Sequence, residues 1–214
     1  MRIGVLGSGD VGRVLGTGFV KHGHQVMIGS RDPKQEKVQA WVKSAGPTGS
    51  AGTFAETAAF AEVAVLATAW SGLEAALTLA GPAQFDGKVV IDATNPLDFS
   101  QGAPPKLAVN GNDSAGETVQ RRLPGARIVK AFNIVGNQHM VHPDFPGGPP
   151  DMFICGDDDT AKGTVAGLLT SFGWRVIDVG RISSSRYLEA MAMVWILHFF
   201  KTGSGNHAFK MLSK

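Results

Sequence analysis

The hydrophobic pattern at the start of the chain predicts a strand, a tight turn and a helix in direct succession. Residues 2–6 form a short apolar run that suits a buried parallel strand, and the run gives way to a glycine-rich segment at residues 7–12. Apolar side chains then recur at helical spacing from Val14 to Val20, and Gly23 ends the pattern. Strand, turn and helix in this order form the first half of a βαβ unit.

The alternation of apolar runs and helical stripes continues through most of the chain. Further strand-like runs occupy residues 25–28, 63–67, 88–92, 128–131, 152–156 and 175–178. Helical stripes separate most of these runs, and strands that alternate with helices form parallel sheets with helices on both faces. The pattern therefore predicts an α/β fold, a doubly wound parallel Rossmann sheet.

The pattern changes at the C-terminal end, where helices are predicted without further strands. Residues 187–200 form a strongly apolar helical stretch, and residues 206–212 predict a short terminal helix. We therefore expect a Rossmann domain over residues 1–180 and a small helical segment over residues 181–214. The segment is expected to pack on the domain or to form a dimer interface.

The first turn carries a Gly-x-Gly-x-x-Gly motif between a strand and a helix, as dinucleotide sites require. Gly7 allows the tight turn, Gly9 lets backbone N–H groups approach a pyrophosphate, and Gly12 lets the helix pack against the strand. The helix N-terminus adds partial positive charge for the phosphates. The predicted pyrophosphate loop consists of Gly7, Ser8, Gly9, Asp10, Val11 and Gly12.

The end of the second strand bears on which dinucleotide is bound. An NAD site usually has an acidic residue there, whereas this strand runs into Ser30 and Arg31, which suit the extra phosphate of NADP. Lys34 and Lys37 follow and could add positive potential. Asp32 is the competing ribose acid, but it precedes a proline beyond the strand and is interpreted as a helix N-cap. We favour NADP over NAD.

The remaining candidate site residues follow the later strands. Ligands of doubly wound sheets bind beyond the carboxyl ends of the strands, so these strand ends should line one crevice. The residues expected near the nicotinamide are Thr68, Ala69, Trp70, Asn95, Pro96 and Asn133. A turn after a strand is the alternative interpretation of the Asn95–Pro96 pair.

Composition narrows the class of protein. The chain has 214 residues, of which 43% are hydrophobic and 18% charged, as in a globular protein with a substantial core. A net charge of +2 gives no electrostatic case for nucleic acid or membrane partners. The apolar run at residues 191–200 is too short to span a bilayer. The single cysteine and the strand that follows Met1 directly, without a signal peptide, predict a cytoplasmic protein.

The sequence offers few groups for acid–base, nucleophilic or metal chemistry. There is no Gly-x-Ser-x-Gly elbow, and Cys155 has no evident histidine partner and is expected to be an inert core thiol. His139, His142 and Asp144 could form a metal triplet, but this spacing is common by chance and we predict no metal site. We also predict no catalytic side chain, which suits direct hydride transfer between two rings held face to face.

Several of these motifs together resemble the NADP oxidoreductases that use coenzyme F-420. The resemblance covers essentially the whole chain and extends to the cytosolic oxidoreductase domain of the STEAP metalloreductases. The motifs are Gly-Ser-Gly-Asp-Val-Gly at 7–12, Gly-Ser-Arg at 29–31, Asn-Pro-Leu at 95–97, Lys-Ala-Phe-Asn at 130–133 and Arg-x-x-Glu at 186–189.

The resemblance implies a fold, a reaction and an assembly. It implies an NADP-binding Rossmann domain, a small helical part, a homodimer, and hydride exchange with the deazaflavin without a catalytic side chain. By position, residues 7–12 match the family's pyrophosphate loop, and Ser30 with Arg31 match its 2′-phosphate site. Thr68, Ala69, Asn95 and Asn133 match its nicotinamide surroundings. The bulky Trp70 and the long segments 97–113 and 138–150 depart from the family, so the hydride acceptor stays open.

Two classes of function follow from these observations. The first is an NADPH-dependent oxidoreductase whose small-molecule hydride acceptor is F-420, a flavin, or a small carbonyl or imine. The second is a non-catalytic NADPH-binding module that senses redox state or docks on a partner. An exposed apolar patch on the helix at residues 187–200 would favour a homodimer or a docking partner. A crevice with room for a second ring would favour the enzyme.

Overall fold

The computed structural model describes all 214 residues. The strands are β1 (Arg2–Leu6), β2 (Gln25–Gly29), β3 (Gly49–Gly52), β4 (Val63–Leu66), β5 (Val89–Asp92), β6 (Leu97–Asp98), β7 (Lys106–Leu107), β8 (Arg127–Lys130), β9 (Asp151–Gly156) and β10 (Arg175–Asp178). The helices are α1 (Asp10–Lys21), α2 (Glu36–Ala45), α3 (Phe54–Phe60), α4 (Trp70–Ala80), α5 (Ala115–Arg122), α6 (Asp159–Ser171) and α7 (Ser185–Thr202).

Eight strands form one sheet in the order β10-β9-β8-β5-β4-β1-β2-β3, and β6 and β7 form a separate short hairpin. The chain runs outward from β1 through β2 to β3, and then crosses back to β4 on the other side of β1. The point where the strand order reverses therefore lies between β1 and β4. The predicted doubly wound α/β fold is confirmed.

One pairing breaks the parallel order. β8 pairs with β9 antiparallel, whereas β9 and β10 are parallel to each other. A parallel return needs a long crossover, usually a helix. The connection from β8 to β9 contains only a 3₁₀ turn at Asn137–His139. The last two strands therefore run against the rest of the sheet, which the apolar runs alone did not indicate.

The core lies on both faces of the sheet because strand side chains alternate between the faces. Ile3 and Val5 face α1 and α6 and pack with Phe19 and Phe172 in the larger cluster. Leu6 faces the opposite side, where it packs in the cluster built with α3, α4 and α5. Two packed faces hold the carboxyl ends of the strands rigidly at one edge.

The C-terminal segment consists of α7 and a following stretch without regular secondary structure. Leu188 and Ala192 of α7 are buried, and the chain after Thr202 folds back so that the Trp195 indole donates to the carbonyl of His207 at 2.8 Å. The predicted helix over residues 206–212 is wrong. There the backbone has no regular secondary structure, and the N–H of Asp151 in β9 donates to the carbonyl of Phe209 at 2.9 Å. None of the helices combines the length and the apolar character that a membrane crossing needs.

Candidate functional site

A continuous crevice runs along the carboxyl ends of β1, β2, β4, β5 and β8. One part, which we call the phosphate end, has a volume of about 430 Å³ and includes Gly7, Ser30 and Arg31 in its wall. The other part, the ring end, has a volume of about 710 Å³ and includes Asn95 and Asn133. The two parts are continuous because both are lined by Gly9, Ala67, Thr68, Ala69 and Ser71.

Most of the candidate residues line this crevice. Those at the phosphate end are Gly7, Ser8, Gly9, Ser30, Arg31, Lys37, Thr68 and Ala69. Those at the ring end are Gly9, Asp10, Val11, Thr68, Ala69, Trp70, Asn95 and Asn133. Three candidates do not line it: Gly12 lies behind the glycine turn, Lys34 lies on the solvent side, and Pro96 is buried under the ring end.

The glycine turn has the geometry that a diphosphate requires. Gly7 has a φ of +133°, and a side chain there would collide with the Ala67 carbonyl. A side chain on Gly12 would collide with the Gly7 carbonyl. At Gly9, by contrast, a Cβ would meet no atom within 4 Å, so the backbone faces open space. Gly9 is also the N-cap of α1 without a side-chain cap, which leaves the first N–H groups of α1 free for an anion.

The end of β2 brings a hydroxyl and two cations to the phosphate end. Ser30 is buried, and its Oγ accepts from the backbone N–H of Asp32 at 3.3 Å. Arg31 and Lys37 are exposed, line the cavity and form no salt bridge with any carboxylate of the chain. Two unpaired cations beside a hydroxyl fit a phosphate monoester.

Asp32 has a different place from the predicted one. The helix α2 begins at Glu36 with Gln35 as N-cap, so Asp32 is not the N-cap. Its carboxylate accepts the N–H of Lys34 at 3.0 Å and closes a local turn around Pro33. The side chain is exposed outside the crevice. No acidic residue stands where an NAD ribose would need one, and the crevice retains Ser30 and Arg31 there.

Two asparagines form the wall of the ring end. Asn95 Nδ2 donates to the Asn133 carbonyl at 2.7 Å, and Asn133 Nδ2 donates to Asn95 Oδ1 at 3.0 Å and to the Leu188 carbonyl at 3.0 Å. Phe132, just before Asn133, is buried with a φ of +65°, a left-handed conformation unusual for a bulky residue. The strand end at β8 is therefore held in a strained turn that directs Asn133 toward Asn95 and α7.

Two buried polar atoms along the crevice have no partner. The Oγ1 of Thr68 and the Oδ1 of Asn133 are inaccessible to solvent and form no hydrogen bond within the chain. A buried polar atom without a partner costs free energy, so its position usually has a functional reason. A hydroxyl and an amide oxygen at the ring end are suited to the carboxamide of a nicotinamide. Together with the open cradle at Gly9, they fit a bound dinucleotide.

An ion cluster that the site prediction missed lies under the ring end. Lys130 Nζ donates to Asp92 Oδ2 at 2.9 Å and to the Thr94 carbonyl at 2.7 Å, and lies 2.9 Å from Glu189 Oε1. We call Asp92, Lys130 and Glu189 the Lys130 cluster. Its side chains are at most 1% exposed. Burial would lower the pKa of Lys130, but the two carboxylates outweigh burial and raise it, so the ammonium stays charged.

The Lys130 cluster ties the ring end to the C-terminal helix. Asp92 accepts the backbone N–H of Thr94 at 2.9 Å and its hydroxyl at 2.7 Å, which fixes the turn before Asn95. Glu189 of α7 accepts the N–H groups of Ala115 and Gly116 at the start of α5. The available sequence signal was a lysine at the end of an apolar strand and a glutamate in an apolar helix, since charges are rarely buried unless paired.

The candidates for other chemistry do not converge. His139 Nε2 lies 3.0 Å from Asn206 Oδ1, and the ring of His142 lies 5.0 Å from that of His22. No three histidine, cysteine or acidic side chains come close enough to share a metal ion. Cys155 is buried within β9, and burial raises the pKa of its thiol to about 12. The thiol is therefore protonated at neutral pH.

The comparisons with known proteins agree with this geometry. Residues 2–96 match the family model described as NADP oxidoreductase, coenzyme F-420-dependent. The F-420-dependent NADP reductase of Methanothermobacter marburgensis is 32% identical over 92% of this chain and 91% of its own length. The chain belongs to the F-420-dependent NADP reductase family. The resemblance drawn from the motifs is confirmed, and the protein is an NADP-dependent oxidoreductase.

Two further relatives define the extent of the likeness. A solved structure of a candidate F-420-dependent NADP reductase from Arthrobacter sp. FB24 superposes with a TM-score of 0.94 at 40% identity, over 100% of both chains. The metalloreductase STEAP3 of Rattus norvegicus is 31% identical over 90% of this chain, which spans only 36% of STEAP3. The chain therefore covers about a third of that longer relative and all of the shorter one.

Proposed function

We propose that this member of the F-420-dependent NADP reductase family transfers a hydride between NADP(H) and a second planar ring, a deazaflavin such as F-420 or a flavin. The observation that supports the proposal most strongly is the ring end of the crevice. Its volume of about 710 Å³ lies within the range of roughly 300–1,000 Å³ typical of small-molecule sites. A nicotinamide ring would fill only part of it.

The dinucleotide is assigned to the crevice from one end to the other. We assign the pyrophosphate to the free N–H groups at Gly9, Asp10 and Val11, and the 2′-phosphate to Ser30, Arg31 and Lys37. We assign the nicotinamide carboxamide to Thr68 Oγ1 and Asn133 Oδ1, the two buried polar atoms along the crevice without partners. Lys34 and Pro96 contribute through charge and turn geometry rather than by contact.

In this proposal the residues of the ring end hold the two rings in position and take no chemical part in the transfer. Bound NADPH would supply the hydride, the proton that the reduced ring takes up would come from solvent, and the chain supplies none. Asn95 and Asn133 fix the edge of the crevice, and Phe99 and Met140 provide apolar wall that keeps water from the faces of the rings. An acceptor ring held parallel to the nicotinamide would need only the correct orientation to receive the hydride.

The decisive experiment is NADPH oxidation followed at 340 nm against F-420, FMN, FAD and ferric chelates. We expect F-420 or a flavin to be reduced in single turnovers and ferric chelates to react only through a flavin. Direct reduction of the chelates, with no reaction of any ring acceptor, would contradict the proposal.

A second candidate function rests on the exposed apolar face of α7. Tyr187 is 72% exposed, Val194 59% and Leu197 49%, which is unusual for large side chains on one helix. This face supports a homodimer, and it would also suit a non-catalytic NADPH-binding module that docks on a partner. Light scattering at micromolar concentration tests the dimer. A protein that binds NADPH tightly but reduces no ring acceptor would favour the module.

The location of the protein in the cell is also part of the proposal. We propose a cytoplasmic location because the one thiol of the chain, Cys155, is unpaired and no disulfide stabilises the fold.

A further inference from the structure

One wall of the ring end comes from the irregular connection between β8 and β9. Val135, Asn137 and Met140 line the cavity, and we call residues 135–140 the ring-end wall. The only regular structure in this wall is the 3₁₀ turn at Asn137–His139, and none of its residues belongs to a strand of the sheet. A segment outside the sheet takes its position from the side chains that pack behind it.

Trp195 of α7 packs behind the ring-end wall. A Cβ atom placed on Gly136 would lie 2.9 Å from Cζ2 and 3.0 Å from Cη2 of the indole, so the edge of the indole touches the backbone of Gly136. The backbone of Gly136 has a φ of −67° and a ψ of 147°, a conformation that any residue can adopt. Glycine is therefore needed there to admit the indole and not to form a turn. Trp195 itself does not line the crevice.

The chain after α7 holds the indole from its other side, and we call residues 203–211 the C-terminal strap. Trp195 Nε1 donates to the His207 carbonyl at 2.8 Å, and His207 Nε2 donates to the Trp195 carbonyl at 3.1 Å. The two rings stack with their centroids 4.5 Å apart. Gly205 is buried, and a side chain there would collide with the amide of Gln138 in the ring-end wall. The strap therefore fixes the orientation of the indole and touches the wall directly.

The C-terminal strap is itself tied to the sheet. Asp151, the buried first residue of β9, accepts the N–H of Met211 at 2.6 Å, and its own N–H donates to the Phe209 carbonyl at 2.9 Å. Lys210 Nζ donates to the Gly147 carbonyl at 2.6 Å. The strap cannot shift without breaking hydrogen bonds to a strand of the sheet. The sheet thus fixes the strap, the strap fixes Trp195, and Trp195 fixes the ring-end wall.

We propose that Trp195 is a positioning residue for hydride transfer, which sets the ring-end wall at the distance that two stacked rings require. The proposal rests on the proposed function, because it assumes that two rings meet at the ring end. It does not depend on which molecule supplies the second ring. Trp195 acts through Gly136 and touches neither ring, so a change there should alter the rate of transfer more than the binding of NADPH.

Three variants test the contact between Trp195 and the ring-end wall. Trp195→Phe removes the donor to the C-terminal strap and the outer part of the indole that touches Gly136. Gly136→Ala adds a methyl group against the intact indole. The double variant gives that methyl group the space of the missing indole atoms, so the two changes should compensate each other in part.

The matched control is Trp41→Phe. The indole of Trp41 also donates to an oxygen of the chain, Thr17 Oγ1 at 3.0 Å, and it also lies 2.9 Å from the position of a Cβ on a glycine, Gly16. Trp41 packs between α1 and α2 and does not line the ring end. Trp41→Phe should therefore lose comparable contacts without moving the ring-end wall.

Two of the measurements need no acceptor. Amide hydrogen exchange over residues 134–142 of the free protein reports how firmly the ring-end wall is held. The emission of bound NADPH reports how far water reaches the nicotinamide. The third measurement is single-turnover oxidation at saturating NADPH, with whichever of F-420, FMN and FAD reacts. Its rate reports the transfer, and its amplitude reports the fraction of active protein.

We expect Trp195→Phe to speed exchange in the ring-end wall by roughly two- to tenfold, the effect of one lost hydrogen bond. The emission of bound NADPH should shift toward that of NADPH in water. The transfer rate should fall by about ten- to a hundredfold, since a misplacement of about 1 Å can lose that much. The amplitude and the dissociation constant of NADPH should stay the same.

Gly136→Ala should slow the transfer as well, and the double variant should be faster than Gly136→Ala alone. Trp41→Phe should change neither the exchange of the ring-end wall nor the transfer rate. Equal slowing by Trp41→Phe would assign the effect to a general loss of stability. A double variant no faster than Gly136→Ala would show that the methyl group does not act on the indole.

Failure of the positioning role and failure of the proposed function are distinguishable. If the unmodified protein reduces a ring acceptor and Trp195→Phe does so at the same rate, the hydride transfer stands and Trp195 does not position it. If the unmodified protein reduces no ring acceptor, the proposed function fails. Unchanged exchange and unchanged NADPH emission in Trp195→Phe would then overturn the positioning of the ring-end wall as well.

Discussion

The two ends of the crevice are built in different ways. At the phosphate end, the contacts come from short consecutive stretches, the turn at residues 7–12 and the segment after β2, and the cations Arg31 and Lys37 are exposed. At the ring end, the polar groups come from distant parts of the chain. Asn95 and Asn133 are 38 residues apart, and Asn133 reaches a carbonyl 55 residues further along in α7.

Because of this difference, we expect the phosphate end to determine how tightly the cofactor binds and the ring end to determine how the rings are aligned. An exposed cation can lose its partner and regain water, so changes at the phosphate end should alter affinity for one group and leave the fold intact. The ring end is buried and interlocked with α5 and α7, so changes there should alter the position of a ring or the stability of the whole domain. The predictions below test this separation.

The largest effect is expected from Lys130→Met. The substitution removes the only cation between Asp92 and Glu189 and leaves two buried carboxylates without a counter-charge. Breaking a buried pair in this way costs about 3–5 kcal/mol. We therefore expect the free energy of unfolding, measured by urea denaturation at pH 7, to fall by that amount.

The matched control is Lys162→Met. Lys162 is also mostly buried and contacts two carboxylates, Asp178 at 2.7 Å and Asp159 at 3.0 Å, but Asp159 is open to water and Asp178 is half-exposed. The expected loss there is about 1 kcal/mol or less. Combining Lys130→Met with Asp92→Asn and Glu189→Gln should recover part of the stability. Equal losses in the two single variants would show that the Lys130 cluster is no more important than a surface pair.

The next effect is on the choice of cofactor. Arg31→Ala removes a guanidinium that lines the phosphate end and has no carboxylate partner. A lost charge-assisted hydrogen bond costs about 1.5–3 kcal/mol, so NADPH should bind roughly ten- to a hundredfold more weakly. NADH binding, measured in the same fluorescence titration, should hardly change. Equal weakening of NADPH and NADH binding would contradict the assignment of Arg31 to the 2′-phosphate.

The strand, turn and helix at the phosphate end are the part of the site whose backbone could be predicted from one stretch of sequence. The positive φ of Gly7 belongs to the turn itself, although a side chain there would also meet the distant Ala67 carbonyl, and the approach of Gly12 involves only that turn and the strand before it. Such requirements are visible in a single stretch of sequence. The error at Asp32 was local too: a turn closed by its side chain delays the helix to Glu36, and turn and cap use the same residue types.

At the ring end, the contacts between distant parts of the chain could not be predicted from the sequence. Asn95 and Asn133 were placed near the nicotinamide from their position after strands, but their mutual hydrogen bonds and the contact with Leu188 depend on how α7 packs. The role of Lys130 depends on a carboxylate 59 positions away. The direction of β9 and the irregular tail at Phe209 likewise follow from tertiary contacts, since an apolar run specifies burial and not direction.

An effect of similar size, but mainly on rate, is expected from the asparagines. Asn133→Ala and Asn95→Ala should slow single-turnover NADPH oxidation by about ten- to a hundredfold, because a misplacement of about 1 Å can lose that much. NADPH affinity should change less than the rate. His139→Ala and His142→Ala are the controls and should be milder still. A loss of about a thousandfold in either histidine variant, with NADPH binding intact, would require a general acid or a metal at that loop.

The smallest effect concerns the ion pair between Arg186 of α7 and Glu117 of α5. Hydrogen bonds from the Arg186 guanidinium hold the pKa of Glu117 below its ordinary value of 4.5, with help from the Ser114 hydroxyl at 2.7 Å. A carboxyl whose pKa is lowered on folding stabilises the fold fully above its unfolded pKa, and that stability is lost as the pH falls through the folded pKa.

Arg186→Gln should therefore destabilise the protein by about 1 kcal/mol or less at pH 7, because the pair is partly exposed. The difference from the unmodified protein should shrink in urea titrations below about pH 4. A difference that stayed constant down to pH 3 would show that Arg186 acts by packing rather than through the charge of Glu117, and would leave Glu189 and the Ser114–Ser185 hydroxyl contact at 2.7 Å as polar links between α5 and α7.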